Sequence, residues 1–311
     1  MTHTRIAVVG AGYMGGGIAQ AFTRRGLPTV VVDADAERTR TAVARLHEEA
    51  DRYVRDDLMS EADGAAIRQH LTGADSLAEA VADADLVIEA VSEDVDVKRK
   101  VLARVGAAAG PDTVVATNSS SIGISRLADS LEQPLVVMHW FNPAPFLPLV
   151  ELAGDDDVLA PLAELLTSIG KVPVRVPDVP GFLGNRLQFA LYREAALIVE
   201  EGLATPEEVD AVVSNSFGWR LPFYGPLAAG DISGLDVYAG AFDVLAAHYG
   251  ERFATPDSLR AKVDVGDLGL KSSGGFRRIP AEQREALAAY RDKVFVALAK
   301  LREDLGPPPG L

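Results

Sequence analysis

No cysteine occurs in the 311-residue chain, which excludes a disulfide framework, a thiol nucleophile and a thiolate metal site, and permits a reducing compartment. Basic residues are in the minority. Thirty Lys and Arg against 45 Asp and Glu give a formal charge of −15, which disfavours nucleic acid and anionic membrane as partners. Long apolar runs are missing too, since none approaches the ~20 residues needed to span a bilayer. The opening MTHTRIAVVG enters a strand pattern so early that it reads as leaving no room for a signal peptide. A cytoplasmic protein is expected, meeting any polyanionic ligand with local donors. No histidine and carboxylate cluster has metal-ligand spacing, so no metal is expected, and no internal repeat is evident. The abundant residues are apolar. A hydrophobic content of 48% over this length fills a large core, best divided between two domains.

The first half of the chain alternates. Apolar strand patterns at 5–9, 29–32, 86–89, 113–116 and 135–139 are separated by helical segments, the pattern of βαβ units around a parallel sheet. Asp35 is placed to cap a helix running through Ala50, and a second helix occupies 93–109 until Gly110-Pro111 stops it. Two further strands are expected at 148–152 and 171–176, around a helix at 155–169. From Asn185 onward only helical periodicity is found, including the capped start Thr205-Pro206-Glu207-Glu208 and a final helix at 281–304. The fold class is therefore α/β: a Rossmann-type, mainly parallel sheet domain over 1–180, then an all-helical domain over 181–311. The terminal PPPGL reads as a frayed tail.

Gly10-Ala11-Gly12-Tyr13-Met14-Gly15 follows the first strand and opens a helix. Glycine serves the tight turn at the first position, close approach of a pyrophosphate at the second, and helix-on-strand packing at the third. On its own this spacing is a weak signal. Here Asp33 ends the next strand, where a carboxylate accepts from the adenosine ribose hydroxyls and repels a 2′-phosphate; Ala34-Asp35-Ala36 brings nothing basic next to it. The reading is a dinucleotide site that takes NAD rather than NADP.

A dinucleotide that oxidises an alcohol needs a base for the hydroxyl proton, and the segment HWFNPAPFLPLVE at 139–151 offers one. His139 and Glu151 lie on neighbouring extended segments joined by a proline-stiffened connection, so a carboxylate can hold the distal imidazole nitrogen and fix its tautomer. The bland alternative is a core histidine satisfied by a neighbouring acid. His3, His47, His70 and His248 are read as surface residues.

These stretches, with VIEAVSEDVDVKRKV (87–101), ATNSSSIGIS (116–125), LVELAG (149–154) and VPGFLGNRLQFALYREA (179–195), resemble the L-3-hydroxyacyl-CoA dehydrogenase family from the start of the chain to about residue 240. By motif match the resemblance implies an active site of Ser120, His139, Glu151 and Asn185, and NAD contacts at Glu93, Lys98, Ser120 and Asn142 beside Gly10, Gly12, Tyr13, Met14, Gly15 and Asp33. It also implies a homodimer paired through the helical domain. Helix capping is the structural alternative for Ser120 and for Asn185, although Ser121 could cap Ile122 instead. The helical half is similar to the λ-crystallin-like branch, whose members oxidise free acids such as L-gulonate. Lys271-Ser272-Ser273-Gly274-Gly275-Phe276-Arg277 departs from the acyl-CoA pattern by lacking a second lysine and a tyrosine.

The substrate expected first is a 3-hydroxyacyl-CoA. A free hydroxy acid such as L-gulonate or carnitine comes second, and a non-catalytic NAD-binding structural protein last. Arg45, Arg52, Arg55 and Arg68 are candidates for CoA phosphates, blunted by interleaved acids; Arg186 and Arg220 are candidates for a substrate carboxylate.

Overall fold

Strands with apolar residues at every position need cover on both faces, and this requirement sets the architecture of the N-terminal half. In the computed structural model, which describes residues 4–309, that half comprises β1 (Ile6–Val9), α1 (Tyr13–Thr23), β2 (Thr29–Val32), α2 (Ala36–Arg55), α3 (Glu61–His70), β3 (Leu71–Gly73), α4 (Leu77–Val81), β4 (Leu86–Glu89), α5 (Val95–Ala108), β5 (Val114–Thr117), β6 (Leu135–Trp140), β7 (Leu149–Ala153), α6 (Asp156–Ser168) and β8 (Val172–Arg175). The sheet order is β3-β2-β1-β4-β5-β6-β7-β8. All pairings are parallel except β6 with β7.

Alternation along β1 divides the core. Ile6 and Val8 join Ile18, Phe22, Leu46 and Leu166 on one face, whereas Ala7 and Val9 join Val81, Leu102 and Leu127 on the other. Helix starts follow local chemistry: Asp35, Ser60, Ser76, Asp94 and Asp155 each accept a backbone N–H in the first turn of their helix.

The helices that follow are α7 (Gly184–Glu200), α8 (Pro206–Asn215), α9 (Pro226–Ser233), α10 (Leu235–Tyr249), α11 (Asp257–Asp264) and α12 (Arg284–Leu305). Thr205 and Glu208 form the capping box expected at the start of α8. The chain divides into two compact units, one running to Leu191 and one from Tyr192, so the division falls within α7. In the second unit, the fully buried Asp231 carboxylate accepts from the N–H groups of Phe276 (2.9 Å) and Arg277 (2.8 Å). No helix among the described residues is long and apolar enough to cross a membrane. Among those residues there is also no group of three or more His, Cys, Asp or Glu placed to hold a metal ion.

Candidate active site

In a parallel sheet the strand order reverses where helices leave opposite faces, and ligands bind beyond the strand ends at that point. Here the reversal lies between β1 and β4, whose exit turns meet closely. Gly10 has φ +99°, and a Cβ on it would stand 2.7 Å from the Ala90 carbonyl oxygen; one on Gly15 would stand 1.8 Å from the Gly10 oxygen. Gly12 faces open space, with nothing within 4 Å of its Cβ direction, and no side chain caps the start of α1. The helix N-terminus is therefore free for an anion.

The Asp33 carboxylate is fixed beside it, accepting from Ala11 N–H (2.9 Å) and Ala34 N–H (2.7 Å). A cleft of about 660 Å³ runs from Gly12 and Tyr13 past Asp33 to Arg38 and Arg45. Donors, open backbone and an acidic ribose acceptor all fit a dinucleotide. Tyr13 is exposed, whereas Met14 is partly buried and packs on the core. Asn142 is exposed and shares a small groove with Tyr13 and Glu49.

Strand pairing joins the histidine and the glutamate singled out in the sequence. His139 lies directly opposite Glu151 in the antiparallel ladder of β6 and β7, and its Nδ1 is 2.9 Å from Glu151 Oε2. Both are buried. The second carboxylate oxygen is engaged elsewhere. Oε1 accepts from Leu183 N–H (3.0 Å) and Gly184 N–H (2.8 Å), so Glu151 caps the N-terminus of α7.

One acid thus links the imidazole to the helix that carries Asn185. Asn185 is the second residue of α7, beyond the capping position, so it is not the N-cap. Phe141 and Phe182 flank the imidazole, with ring centroids 4.7 and 5.3 Å away. A Cβ on Gly184 would stand 2.5 Å from Phe141 Cζ, which explains glycine at that turn.

The serine run after β5 is organised by a second acid. Glu93 Oε1 accepts from the hydroxyls of Ser119 (2.7 Å) and Ser121 (2.9 Å) and from the N–H groups of Ser120 (2.9 Å) and Ser121 (2.8 Å). Burial alone would raise the Glu93 pKa, but bonds from Ser119 and Ser121 and the charge of Lys98 hold it below its ordinary value. Ser119, not Ser121, caps Ile122 N–H (2.9 Å). Ser120 is left as the hydroxyl of the run that Glu93 does not engage.

Lys98 is 1% exposed, and its ammonium donates to Glu89 Oε1 (2.8 Å) and Oε2 (3.1 Å), with Glu93 at 3.4 Å. Glu89 is fully buried and also accepts from Thr117 Oγ1 (2.7 Å) and Val91 N–H (2.7 Å).

Comparison with known proteins identifies the family. The family model described as 3-hydroxyacyl-CoA dehydrogenase, NAD binding domain, matches residues 5–179, and the corresponding C-terminal domain matches residues 181–279. The chain belongs to the 3-hydroxyacyl-CoA dehydrogenase family. It is 35% identical to a 5-formyl-3-hydroxy-2-methylpyridine 4-carboxylate 5-dehydrogenase of Mesorhizobium japonicum, over 96% of this chain and 98% of that one. Identity to a 3-hydroxybutyryl-CoA dehydrogenase of Clostridioides difficile is 34%, over 88% and 98% of the two chains. A solved 3-hydroxyacyl-CoA dehydrogenase from Archaeoglobus fulgidus superposes with a TM-score of 0.78 at 30% identity, covering 98% of this chain and 99% of that one. The chain is accordingly an NAD-dependent oxidoreductase of this family.

Several residues of this 3-hydroxyacyl-CoA dehydrogenase family member lie where the sequence alone does not place them. Arg45 sits at the glycine turn, donating to the Ala11 carbonyl (2.9 Å) and to Glu49 (2.7 Å), and Arg68 pairs with Asp51. Arg52 lies over the Tyr53 ring, 5.3 Å from its centroid. Lys271 donates to both oxygens of Asp236 (2.8 and 2.9 Å). His248 is exposed, but His70 is half-buried and His47, also half-buried, has a buried Nε2 without a partner, so neither is a plain surface residue. His47 lies one turn before the buried Ala50 on α2 and His70 one turn after the buried Ile67 on α3, which places both beside the buried faces of their helices. His3 lies outside the described residues. Glu89, Arg38 and Lys171 do not stand out in the sequence; for Glu89 the available signal is an acid ending an otherwise apolar strand.

Proposed function

We propose that this enzyme oxidises the CH–OH carbon of an L-3-hydroxyacyl-CoA to the 3-oxo thioester, or runs the reverse reduction, with His139 and Glu151 as its proton-handling pair. Bound NAD supplies the acceptor for the electron pair that leaves the substrate carbon. His139 takes the hydroxyl proton through Nε2, because Nδ1 is engaged by Glu151. Glu151 fixes that tautomer and compensates the imidazolium that forms, while the Leu183 and Gly184 N–H groups keep the carboxylate from swinging away. Ser120 donates to the substrate oxygen, and Asn185 holds the thioester carbonyl. Phe141 and Phe182 keep water from the imidazole. The double engagement of Glu151 supports the reading: it fixes the imidazole tautomer and ties His139 to the helix bearing Asn185.

A free hydroxy acid is the second reading, favoured by two observations. Two of the four arginines considered for CoA phosphates, Arg45 and Arg68, are already paired with acids. The helical unit contains a cavity of about 380 Å³ lined by Arg220, Tyr224, Arg291 and Asp292, in which Arg291 is paired with Asp292 (2.9 Å) and the Tyr224 hydroxyl is buried without a partner among the described residues. Arg220, which pairs with no acid among the described residues, is the group there that suits a carboxylate.

Initial rates decide between the two: acetoacetyl-CoA reduction with NADH is expected to exceed L-gulonate oxidation with NAD by at least about tenfold in kcat/KM, a difference of ~1.4 kcal/mol. Faster L-gulonate turnover would transfer the proposal to the free acid. We further propose a sheet domain over 1–180, a helical domain over 181–311 and a cytoplasmic homodimer paired through the helical domain. Exposed apolar side chains there, Leu203, Val212, Val244 and Val296 among them, support the pairing.

A further inference from the structure

We infer that Lys171 is a positioning residue for NAD binding, acting as the cationic anchor of the linker at 141–148 that joins the strand of His139 to the strand of Glu151. The linker presents Asn142 beside Tyr13 at the dinucleotide helix. Its own turn is closed by Phe146 and Leu147 N–H groups bonding to the Pro143 carbonyl (both 3.0 Å). That leaves other carbonyls of a partly buried loop in need of donors.

Lys171 supplies them. Its Nζ donates to Ala144 O (2.6 Å) and Leu147 O (2.8 Å) and lies 5.3 Å from the Trp140 ring centroid. Arg24, at the end of α1, donates to Pro145 O (3.2 Å) between them. A Cβ on Gly17 of α1 would stand 3.1 Å from Pro145 Cδ, so the linker is pressed on the same helix whose N-terminus faces the cofactor. Lys171 itself is 7% exposed and sits between Gly170, which follows α6, and the first residue of β8.

Among the described residues no carboxylate pairs with the ammonium. Burial, followed by the charges of Arg24 and Arg25, lowers its pKa to about 8. The acid facing this cluster is Asp63 on α3, and it is already shared by Arg24 (3.2 Å) and Arg25 (3.6 Å). A polar pocket of about 190 Å³ bounded by Arg24, Arg25 and Lys171 lies alongside. Above about pH 8 the neutral amine keeps two N–H groups but loses charge assistance and its attraction to the indole, both of which strengthen contacts to a largely buried group. The linker then holds Asn142 less firmly, and NAD binds more weakly.

The test needs no substrate, so it stands apart from the reading of the reaction. NAD dissociation constants are measured by calorimetry from pH 6.5 to 9.5 for the wild type, Lys171→Arg and Lys171→Met. In parallel, Trp140 fluorescence is titrated in a Trp219→Phe background, which leaves Trp140 as the sole indole. The wild-type dissociation constant is expected to rise about tenfold across a midpoint near 8, with Trp140 emission changing at the same midpoint. Lys171→Arg keeps its charge throughout, so both transitions vanish while tight binding remains. Lys171→Met binds NAD weakly at every pH. If Lys171→Met fails to fold, the Lys171→Arg profiles decide alone. Transitions that persist in Lys171→Arg, or wild-type affinity at all pH values in Lys171→Met, would overturn the inference.

Discussion

Replacing His139 with Gln lowers kcat at least about a hundredfold, the lower end of what a positioned general base contributes, while the dissociation constant for NAD stays within about twofold. The separation follows from placement. His139 lies on β6 and is held by Glu151 on β7, whereas the cleft for the dinucleotide is built from the turns after β1 and β2. Glutamine fills similar space between Phe141 and Phe182 and can still bond to Glu151, but it cannot take a proton. Steady-state kinetics beside NAD titration reads both quantities. Turnover within a few-fold of wild type would remove the base assignment.

Lys98→Met is the substitution with the largest expected effect on stability, about 3–5 kcal/mol. Glu89 has no exposure, and the Lys98 ammonium is its charged partner at 2.8 and 3.1 Å. Without the lysine a carboxylate remains in the core with only the Thr117 hydroxyl and the Val91 N–H to solvate it, and that is far less than water supplies. Urea unfolding measures the loss. Glu89→Gln on the same background is expected to restore part of it, since a neutral amide needs no counter-charge. A shift below about 1 kcal/mol, the range of exposed pairs, would mean that the pair is solvated in solution.

What the sequence discloses and what it hides have physical causes. The central strands are legible because both of their faces are covered, Ile6, Val8, Val31 and Ile88 on one side and Ala7, Val9, Val32 and Val87 on the other, which leaves unbroken apolar runs. β3 is not: it has three residues, of which Thr72 and Gly73 are exposed, so no alternation marks it. α3 escapes for a related reason. Its buried face consists of Gly64 and Ile67, and Gly64 is small because Val54 Cγ2 would stand 2.6 Å from a Cβ there; a glycine in that position erases the periodic signal.

At the site, the pairing of His139 with Glu151 can be foreseen from two strands and a short linker, because cross-strand neighbours share a face. The second duty of Glu151 cannot, since Leu183 and Gly184 meet it only through tertiary folding. Lys171 is hidden by its position just before a strand, where a lysine ordinarily reads as solvated. The arginines at 45 and 68 show the converse: charges that look available along a sequence are already matched, Arg45 by Glu49 one helical turn away and Arg68 by Asp51 on the neighbouring helix α2.

The central claim is that His139 and Glu151 handle the proton as one unit, and a double-mutant cycle on kcat tests it most directly. In Glu151→Gln, if the side-chain oxygen stays with Leu183 and Gly184, the amide NH₂ faces Nδ1 and places the imidazole proton on Nε2, the wrong nitrogen for a base. The account therefore predicts that Glu151→Gln costs nearly as much as His139→Gln, and that the double variant is no slower than the worse single one, as for residues that act together. Independent losses that multiply in the double variant would contradict it.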